Sequence, residues 1–185
     1  MPTIFSHPAP VLALGLAAGR QVMPPRLLLA GLVCSVLPDL DVAGFFMGVS
    51  YGAAAGHRGA SHSLLFAGIL GALCALAAPW LHCRRLTAFL TGTFAAASHI
   101  ALDAATNGGL GVGAFWPWDN TRYFLAWQPI EVSPLSPKRF LSARGIEVLR
   151  SEFTWVWLPC FVIALLILAL RRALKHNQIL RQASN

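Results

Sequence analysis

The stretch "GHRGASHSLLFAGILGALCALAAPWL", Gly56–Leu81, joins a group of polar side chains directly to a long apolar run. Its first eight residues contain two histidines, one arginine and two serines. The run that follows, Ser63–Leu81, is long enough to cross a bilayer, which takes about 20 apolar residues. Ionisable groups at membrane depth are costly unless they pair or bind an ion. The stretch therefore predicts a functional site at the end of a membrane helix.

Further apolar runs lie on both sides of this stretch. Leu86–Leu102 and Phe153–Leu170 also have spanning length, whereas Pro10–Ala18 and Leu27–Leu37 are short enough to be tilted, re-entrant or packed inside a bundle. The chain is 56% hydrophobic and 11% charged, against roughly 25% charged in soluble domains. We predict an all-α, polytopic membrane bundle with three full spans and two short N-terminal apolar helices, forming one domain over residues 1–185. No cleavable signal peptide is expected, because no basic stretch precedes the first apolar run.

Small side chains are frequent in two of the apolar runs. "AGILGALCALAA" (67–78) and "TGTFAAAS" (91–98) predict close packing of the two helices, within one chain or across a dimer, and the oligomeric state stays open. The four cysteines lack C-x-x-C spacing and are predicted to be small buried hydrophobes: Cys34, Cys74, Cys83 and Cys160.

The charges divide unequally if the apolar segments alternate in direction. One face receives eight of the fourteen basic residues and no acid: Arg20, Arg26, Arg84, Arg85, Arg171, Arg172, Lys175 and Arg181. The other face receives all seven acids and the remaining six basic residues. Loops rich in Lys and Arg stay in the cytoplasm, so the acid-bearing face is predicted to be extracytoplasmic. The basic tail, 171–185, is predicted to be cytoplasmic and to lie near anionic lipid, and no nucleic-acid partner is expected.

A polar stretch, 104–152, separates the last two apolar runs. It is rich in Gly, Trp and Pro, which indicates loops and turns on the acid-bearing face. Within it, "ARGIEVLRSEF" predicts a short interfacial helix that leads into the last span.

Several polar motifs meet at the acid-bearing face. They are the early His7, "LPDLD" (37–41), "GHRGASHS" (56–63) and "SHIALD" (98–103). His99 and Asp103 are four residues apart, so a helix projects both from one face. Pro38 favours a turn or an extended geometry in which two carboxylates reach a shared ion. The candidate metal ligands are His7, Asp39, Asp41, His57, His62, His99 and Asp103.

Imidazole and carboxylate without thiolate suit Zn²⁺ first, or Mn²⁺, Fe²⁺ or Ni²⁺. More than four candidate ligands predict one to three ions. Each motif alone also has a plainer interpretation: His-x-x-x-Asp as a hydrogen-bonded pair, Pro-Asp-x-Asp as a helix stop, and Ser61 as a helix cap. His82 and His176 lie at the opposite face and are interpreted as incidental.

The three motifs in this order resemble the YdjM family, described as bacterial inner-membrane metal-dependent hydrolases. The resemblance runs from His7 to about Trp118 and continues more loosely through "RYFLAWQPIEVSPLSPKRF" and "SEFTWVWLP". Ser61 stands where the family pattern H-R-G-x-T-H-S has threonine, which keeps the hydroxyl. The family is similar, more distantly, to zinc-dependent phospholipases C and single-strand nucleases, and that similarity implies phosphoester hydrolysis.

The resulting hypothesis is a membrane hydrolase that cleaves a phosphoester, lipid-linked or otherwise, at the extracytoplasmic surface. Asp39 or Asp41 would bridge metals or act as general base, and Arg58 would stabilise developing negative charge through a bidentate contact. Glu152 is either a ligand, a partner of the ligands, or an interfacial partner for Arg150 or Lys138.

Three alternatives stand beside this hypothesis. One is a metal-ion transporter or metal-binding membrane protein, although the ligands lie near segment ends rather than mid-membrane. A phosphohistidine-type lipid phosphatase is set aside, because the Pro-Ser-Gly-His element and the preceding arginine are absent. Peptidase chemistry stays open, although there is no His-Glu-x-x-His motif.

Overall fold

The computed structural model describes residues 1–134 and 136–183, with side chains described for neither Pro137 nor residues 176–183. Regular structure within this part of the chain is entirely helical, apart from two isolated bridges, Thr106 with Ile130 and Val112 with Tyr123. The all-α prediction is therefore confirmed for the described residues. The helices are α1 Ala9–Ala18, α2 Pro25–Val36, α3 Ala43–Phe46, α4 Leu64–Leu76, α5 Ala78–Leu81, α6 Arg85–Ala104, α7 Pro137–Phe140, α8 Ala143–Glu152 and α9 Leu158–Ala183.

Two helical runs in the described part of the chain are long and apolar enough to cross a membrane. The first, Pro25–Phe46, has 22 residues, because a 3₁₀ turn over Leu37–Val42 joins α2 to α3. The second, Ala143–Lys175, has 33 residues, because a π-helical turn over Phe153–Trp157 joins α8 to α9. The run expected to be short, Leu27–Leu37, thus lies in a helix of spanning length.

The prediction of three full spans is not supported. Ser63–Leu81 is divided between α4, which has 13 residues, and the four-residue α5. The division falls just before Pro79, whose missing N–H cannot continue the α-helical ladder. Leu86–Leu102 lies in α6, whose threonines, His99 and Asp103 leave it less apolar than the two spanning runs.

Helix α6 lies at the centre of the bundle and packs against α4 and α2. The contact with α4 is very close: a Cβ added at Gly92 would lie 2.8 Å from the Cys74 sulfur, and one added at Gly71 would lie 2.0 Å from the Thr93 hydroxyl oxygen. The predicted small-residue contact between these helices therefore forms within one chain. Cys34 and Cys74 are buried in this core, as expected for small hydrophobes, whereas Cys83 and Cys160 are half-buried.

The acids and the acid-free group of basic residues lie at opposite ends of the bundle. Helix α2 runs from Arg26 towards Asp39, and α6 runs from Arg85 to Asp103. The long C-terminal helix runs the other way, from Glu152 past Arg171, whose guanidinium donates to the Ala17 carbonyl at the end of α1. The segments thus alternate as the charge argument requires. The last part of the basic tail, with Arg181 and His176, lies outside the side chains described.

The polar stretch after α6 covers the acidic end of the bundle. The Gly113 amide donates to the Arg58 carbonyl at 2.8 Å, and the Leu64 amide donates to the Ala114 carbonyl at 2.9 Å. Arg122 donates to the His57 and Ala53 carbonyls. This stretch thus packs directly on the residues of the GHRGASHS motif. The predicted short helix forms as α8, where the Ser142 side chain accepts from the Arg144 amide.

Candidate metal centre

The carboxylates of the LPDLD motif lie on the 3₁₀ turn that prolongs α2. This turn buries both carboxylates almost equally, with side-chain exposures of 6% for Asp39 and 7% for Asp41. The structure thus replaces the extended alternative at Pro38 with a tight helical turn. The outcome is two carboxylates with different surroundings, one inside the bundle and one beside the 56–63 loop.

Two glycines shape the GHRGASHS loop through close packing. A Cβ at Gly56 would lie 2.2 Å from the Ser50 carbonyl oxygen, and one at Gly59 would lie 2.2 Å from that of Ala54. Between them, Arg58 adopts the left-handed conformation with φ of 63°. Non-glycine residues adopt it rarely, and such strain concentrates at functional sites. The loop turns both of its histidines into the protein, where His57 and His62 are buried.

Helix α6 contributes His99 and Asp103, one turn apart and fully buried. The His99 Nδ1 lies 2.8 Å from the Ser35 carbonyl oxygen, so this nitrogen donates and Nε2 is left to accept. The His7 ring stacks on His99 with its centroid 3.6 Å away. Both rings thus point towards the carboxylates.

Four residues form the inner part of the cluster: Asp39, His62, His99 and Asp103. One ligand atom from each lies within 4.8 Å of the others. The His62 Nε2 is 3.0 Å from the His99 Nε2 and 3.2 Å from Asp103 Oδ2, and the His99 Nε2 is 3.5 Å from Asp39 Oδ1. A buried set of this kind could hold a metal ion. A second group, Asp41, His57 and His62, meets the same distance criterion.

Unpartnered polar atoms concentrate in this cluster. Eight buried side-chain nitrogen or oxygen atoms in the described residues make no hydrogen bond of acceptable geometry, and seven belong to the site. They are both carboxylate oxygens of Asp39 and of Asp103, both ring nitrogens of His7, and Nε of Arg58. Buried polar groups are otherwise nearly always paired, because an unmade bond costs about 1–3 kcal/mol. The donor set therefore fits a divalent cation.

Asp41 differs from the other two aspartates, because its carboxylate is fully engaged. Oδ1 lies 2.6 Å from the His57 Nδ1. Oδ2 accepts from the Arg58 amide at 3.1 Å and from the Ser61 hydroxyl at 2.6 Å, and it lies 3.1 Å from the His62 Nδ1. Contacts of this type fix the tautomer of a metal-binding histidine, because Nδ1 becomes the donor and Nε2 becomes free to bind.

Arg58 is fully buried and faces the cluster rather than an open surface. Its Nε lies 3.1 Å from Asp103 Oδ2, and its terminal nitrogens donate to the Gly108 carbonyl and the Thr106 hydroxyl at 2.9 Å each. The bidentate contact with a substrate expected from the sequence is not the arrangement observed, since both terminal nitrogens are engaged within the protein.

His7 and His62 respond differently to this environment. Burial, with the neighbouring His99 ring, lowers the pKa of His7 to about 3, so that imidazole is neutral. Burial also disfavours a charged His62, but the carboxylates, Asp103 first, outweigh it and raise the pKa of His62 to about 10. The carboxylates around the His62 ring, together with the neutral His7, thus form surroundings that favour a positive charge.

Two sequence interpretations are corrected by these contacts. Ser61 does not cap a helix: Ser63 caps α4 by accepting from the Phe66 amide, while Ser61 donates to Asp41. Glu152 contacts neither the ligands nor Arg150 or Lys138. Its buried carboxylate accepts from the Thr3 amide and from the hydroxyls of Thr3 and Ser6, and so holds the segment that carries His7.

Thr106 and Arg122 are supporting residues that the sequence motifs do not identify. The Thr106 hydroxyl accepts from Arg58, and Arg122 holds the loop through the His57 carbonyl. His82, at the opposite end, lies outside the cluster.

The chain is similar to known inner membrane proteins. The family described as "YdjM inner membrane protein" matches residues 1–177. The inner membrane protein YbcI of Escherichia coli (strain K12) is 44% identical over 160 residues, which cover 86% of this chain and 92% of the relative. No solved structure matches the chain. The resemblance inferred from the motifs and the inner-membrane location are thereby confirmed, and the chain belongs to the YdjM family of inner membrane proteins.

Proposed function

We propose that this protein is a metal-dependent membrane hydrolase that cleaves a phosphoester, with a lipid-linked substrate as the first candidate. The observation that carries the proposal is the concentration of unpartnered, buried Asp and His atoms at one end of the bundle. Asp39, His62, His99 and Asp103 would hold the ion, with His7 beside them. Imidazole and carboxylate donors favour Zn²⁺. When bound, such an ion supplies a Lewis acid for a phosphoryl oxygen and favours ionisation of water near neutral pH.

Asp41 and Arg58 have distinct roles in this proposal. Asp41 acts as a positioning residue, because its carboxylate contacts Nδ1 of both His57 and His62. Arg58 balances the charge of Asp103 instead of contacting the substrate. These assignments refine the sequence hypothesis, which left the base open between Asp39 and Asp41.

The substrate would approach from the side of the 3₁₀ turn that carries Asp39 and Asp41. Their side chains are 6% and 7% exposed, whereas the side chains of four other candidate ligands are fully buried: His7, His62, His99 and Asp103. A catalytic ion needs one position open to water and substrate, in contrast to a closed structural site. The acid-bearing end would face the extracytoplasmic side, as the distribution of Lys and Arg indicates.

The experiment is to purify the full chain in detergent, measure bound metal by mass spectrometry and assay phosphodiesters, phospholipids and peptides. We expect bound zinc and phosphoester cleavage, both lost in His99→Ala and Asp103→Asn. Asp119→Asn is the matched control, because Asp119 is an exposed acid that contacts only its own loop. Activity that persists in Asp103→Asn without metal would overturn the mechanism. Zinc uptake into proteoliposomes without hydrolysis would favour the transporter instead.

A further inference from the structure

A polar cavity lies at the basic end of the bundle, opposite the candidate metal centre. A cavity of about 680 Å³ opens there, between the loop that joins α1 to α2 and the turn that joins α5 to α6. Its polar lining includes Gln21, His82, Arg84 and Thr87. The metal cluster plays no part in it, and neither the proposed function nor the family assignment accounts for it.

The positive charge around this cavity is not neutralised within the described part of the protein. Of the basic side chains described at this end, none forms an ion pair with a carboxylate, since every such pair found involves the cluster, Arg58 or Arg144. Arg26 instead donates to the Trp80 carbonyl at 3.1 Å and lies 2.9 Å from the His82 Nε2. Arg84 is the charged residue of the lining, and Arg26 adjoins the cavity through His82, so their positive charge attracts anions to this end of the bundle.

The surroundings of the cavity suit the headgroup zone of a bilayer. Trp80 is 65% exposed, and the Arg26 guanidinium lies 5.5 Å from its ring centroid. Indole rings and basic side chains settle together at the membrane interface. Apolar side chains, Leu76 and Leu86, are exposed on the adjoining helices and offer a surface to acyl chains.

We propose that this cavity binds the phosphate headgroup of an anionic phospholipid, with Arg84 as its main contact. A basic pocket on the cytoplasmic side of membrane helices is the type of site that recognises such headgroups. A lipid fits better than free phosphate, because apolar helix surface adjoins the charged cavity. The lipid would join the α1–α2 loop to the α5–α6 turn.

The test uses the full chain, purified in detergent and studied by native mass spectrometry with equimolar short-chain phosphatidylglycerol and phosphatidylcholine. We expect preferential retention of phosphatidylglycerol. Arg84→Gln should reduce retention about tenfold or more, the effect of losing a charge-assisted hydrogen bond to the phosphate. Arg172→Gln is the matched control, because it removes the same charge from an exposed position on α9 outside the cavity, and the loss of an exposed charge without that contact should change retention less than about twofold.

A second variant tests the cavity without a change of charge. Thr87→Phe fills the space beside Arg84 and should reduce retention as much as Arg84→Gln does, and it carries the test if Arg84→Gln fails to fold. Equal losses in Arg84→Gln and Arg172→Gln would overturn the proposal, because they would indicate diffuse attraction. Full retention in Thr87→Phe, or displacement of the lipid by equimolar inorganic phosphate, would also overturn it.

Discussion

Replacing Arg58 by methionine tests whether this residue stabilises the cluster or serves a substrate. Arg58 is fully buried, its Nε is 3.1 Å from Asp103 Oδ2, and its terminal nitrogens satisfy Gly108 and Thr106. Removing one member of a buried ion pair costs about 3–5 kcal/mol, because the other charge stays buried without compensation. For a protein of 185 residues, each kcal/mol lowers the melting temperature by about 2–4 °C. We therefore expect the metal-free Arg58→Met variant to melt about 6–20 °C below the parent.

The assay is tryptophan fluorescence during thermal unfolding in detergent, with metal removed by chelation. Arg122→Met is the matched control, since Arg122 donates to two backbone carbonyls but forms no ion pair among the described residues, and its loss should be smaller. The double variant Arg58→Met with Asp103→Leu should be more stable than the sum of the single losses predicts. A melting temperature for Arg58→Met within about 2 °C of the parent, well below the expected loss, would refute the reasoning.

Three further predictions concern packing, metal binding and the N-terminal segment. Gly71→Ala should destabilise the protein by about 1–3 kcal/mol through overpacking between α4 and α6, as thermal unfolding would measure. Gly68→Ala, whose added Cβ meets nothing within 4 Å, should instead stabilise it by about 0.5–1 kcal/mol, because alanine loses less backbone entropy in a helix. Asp41→Asn should weaken zinc binding about 10–100-fold without abolishing it, as isothermal titration would measure, because it disturbs the orientation of two histidines; complete loss of zinc would make Asp41 a ligand. Glu152→Gln should speed amide hydrogen exchange in residues 3–7, whereas the exposed control Glu147→Gln should not. Exchange in Glu152→Gln at the rate of the parent would show that the Glu152 carboxylate does not hold the segment.

The ligand motifs could be predicted because their geometry is local. An α-helix places residues four apart on one face, so the side chains of His99 and Asp103 project in the same direction whatever the rest of the fold is. The glycines of the 56–63 loop also point to a sharp turn, although the structure shows that close packing, rather than a left-handed backbone at these glycines, requires them.

The roles of individual residues could not be read from local spacing. Asp39 and Asp41 are chemically identical and two residues apart, yet Asp41 accepts from the Arg58 amide and the Ser61 hydroxyl, whereas Asp39 lies among the rings of the inner cluster. Glu152 contacts Thr3 across 149 residues of chain. The bounds of the membrane-spanning runs could not be predicted for a related reason. The 3₁₀ and π-helical turns join short helices into long runs, and neither run coincides with a single apolar stretch of the sequence.

The ligands are dispersed along the chain from residue 7 to residue 103, and no two of the three motifs share a helix. A ribosome must therefore synthesise more than half of the polypeptide before the complete donor set exists. If the cluster binds an ion as proposed, the four-residue site is therefore completed late in biogenesis, and translation products that end before α6 would lack two of its donors, His99 and Asp103.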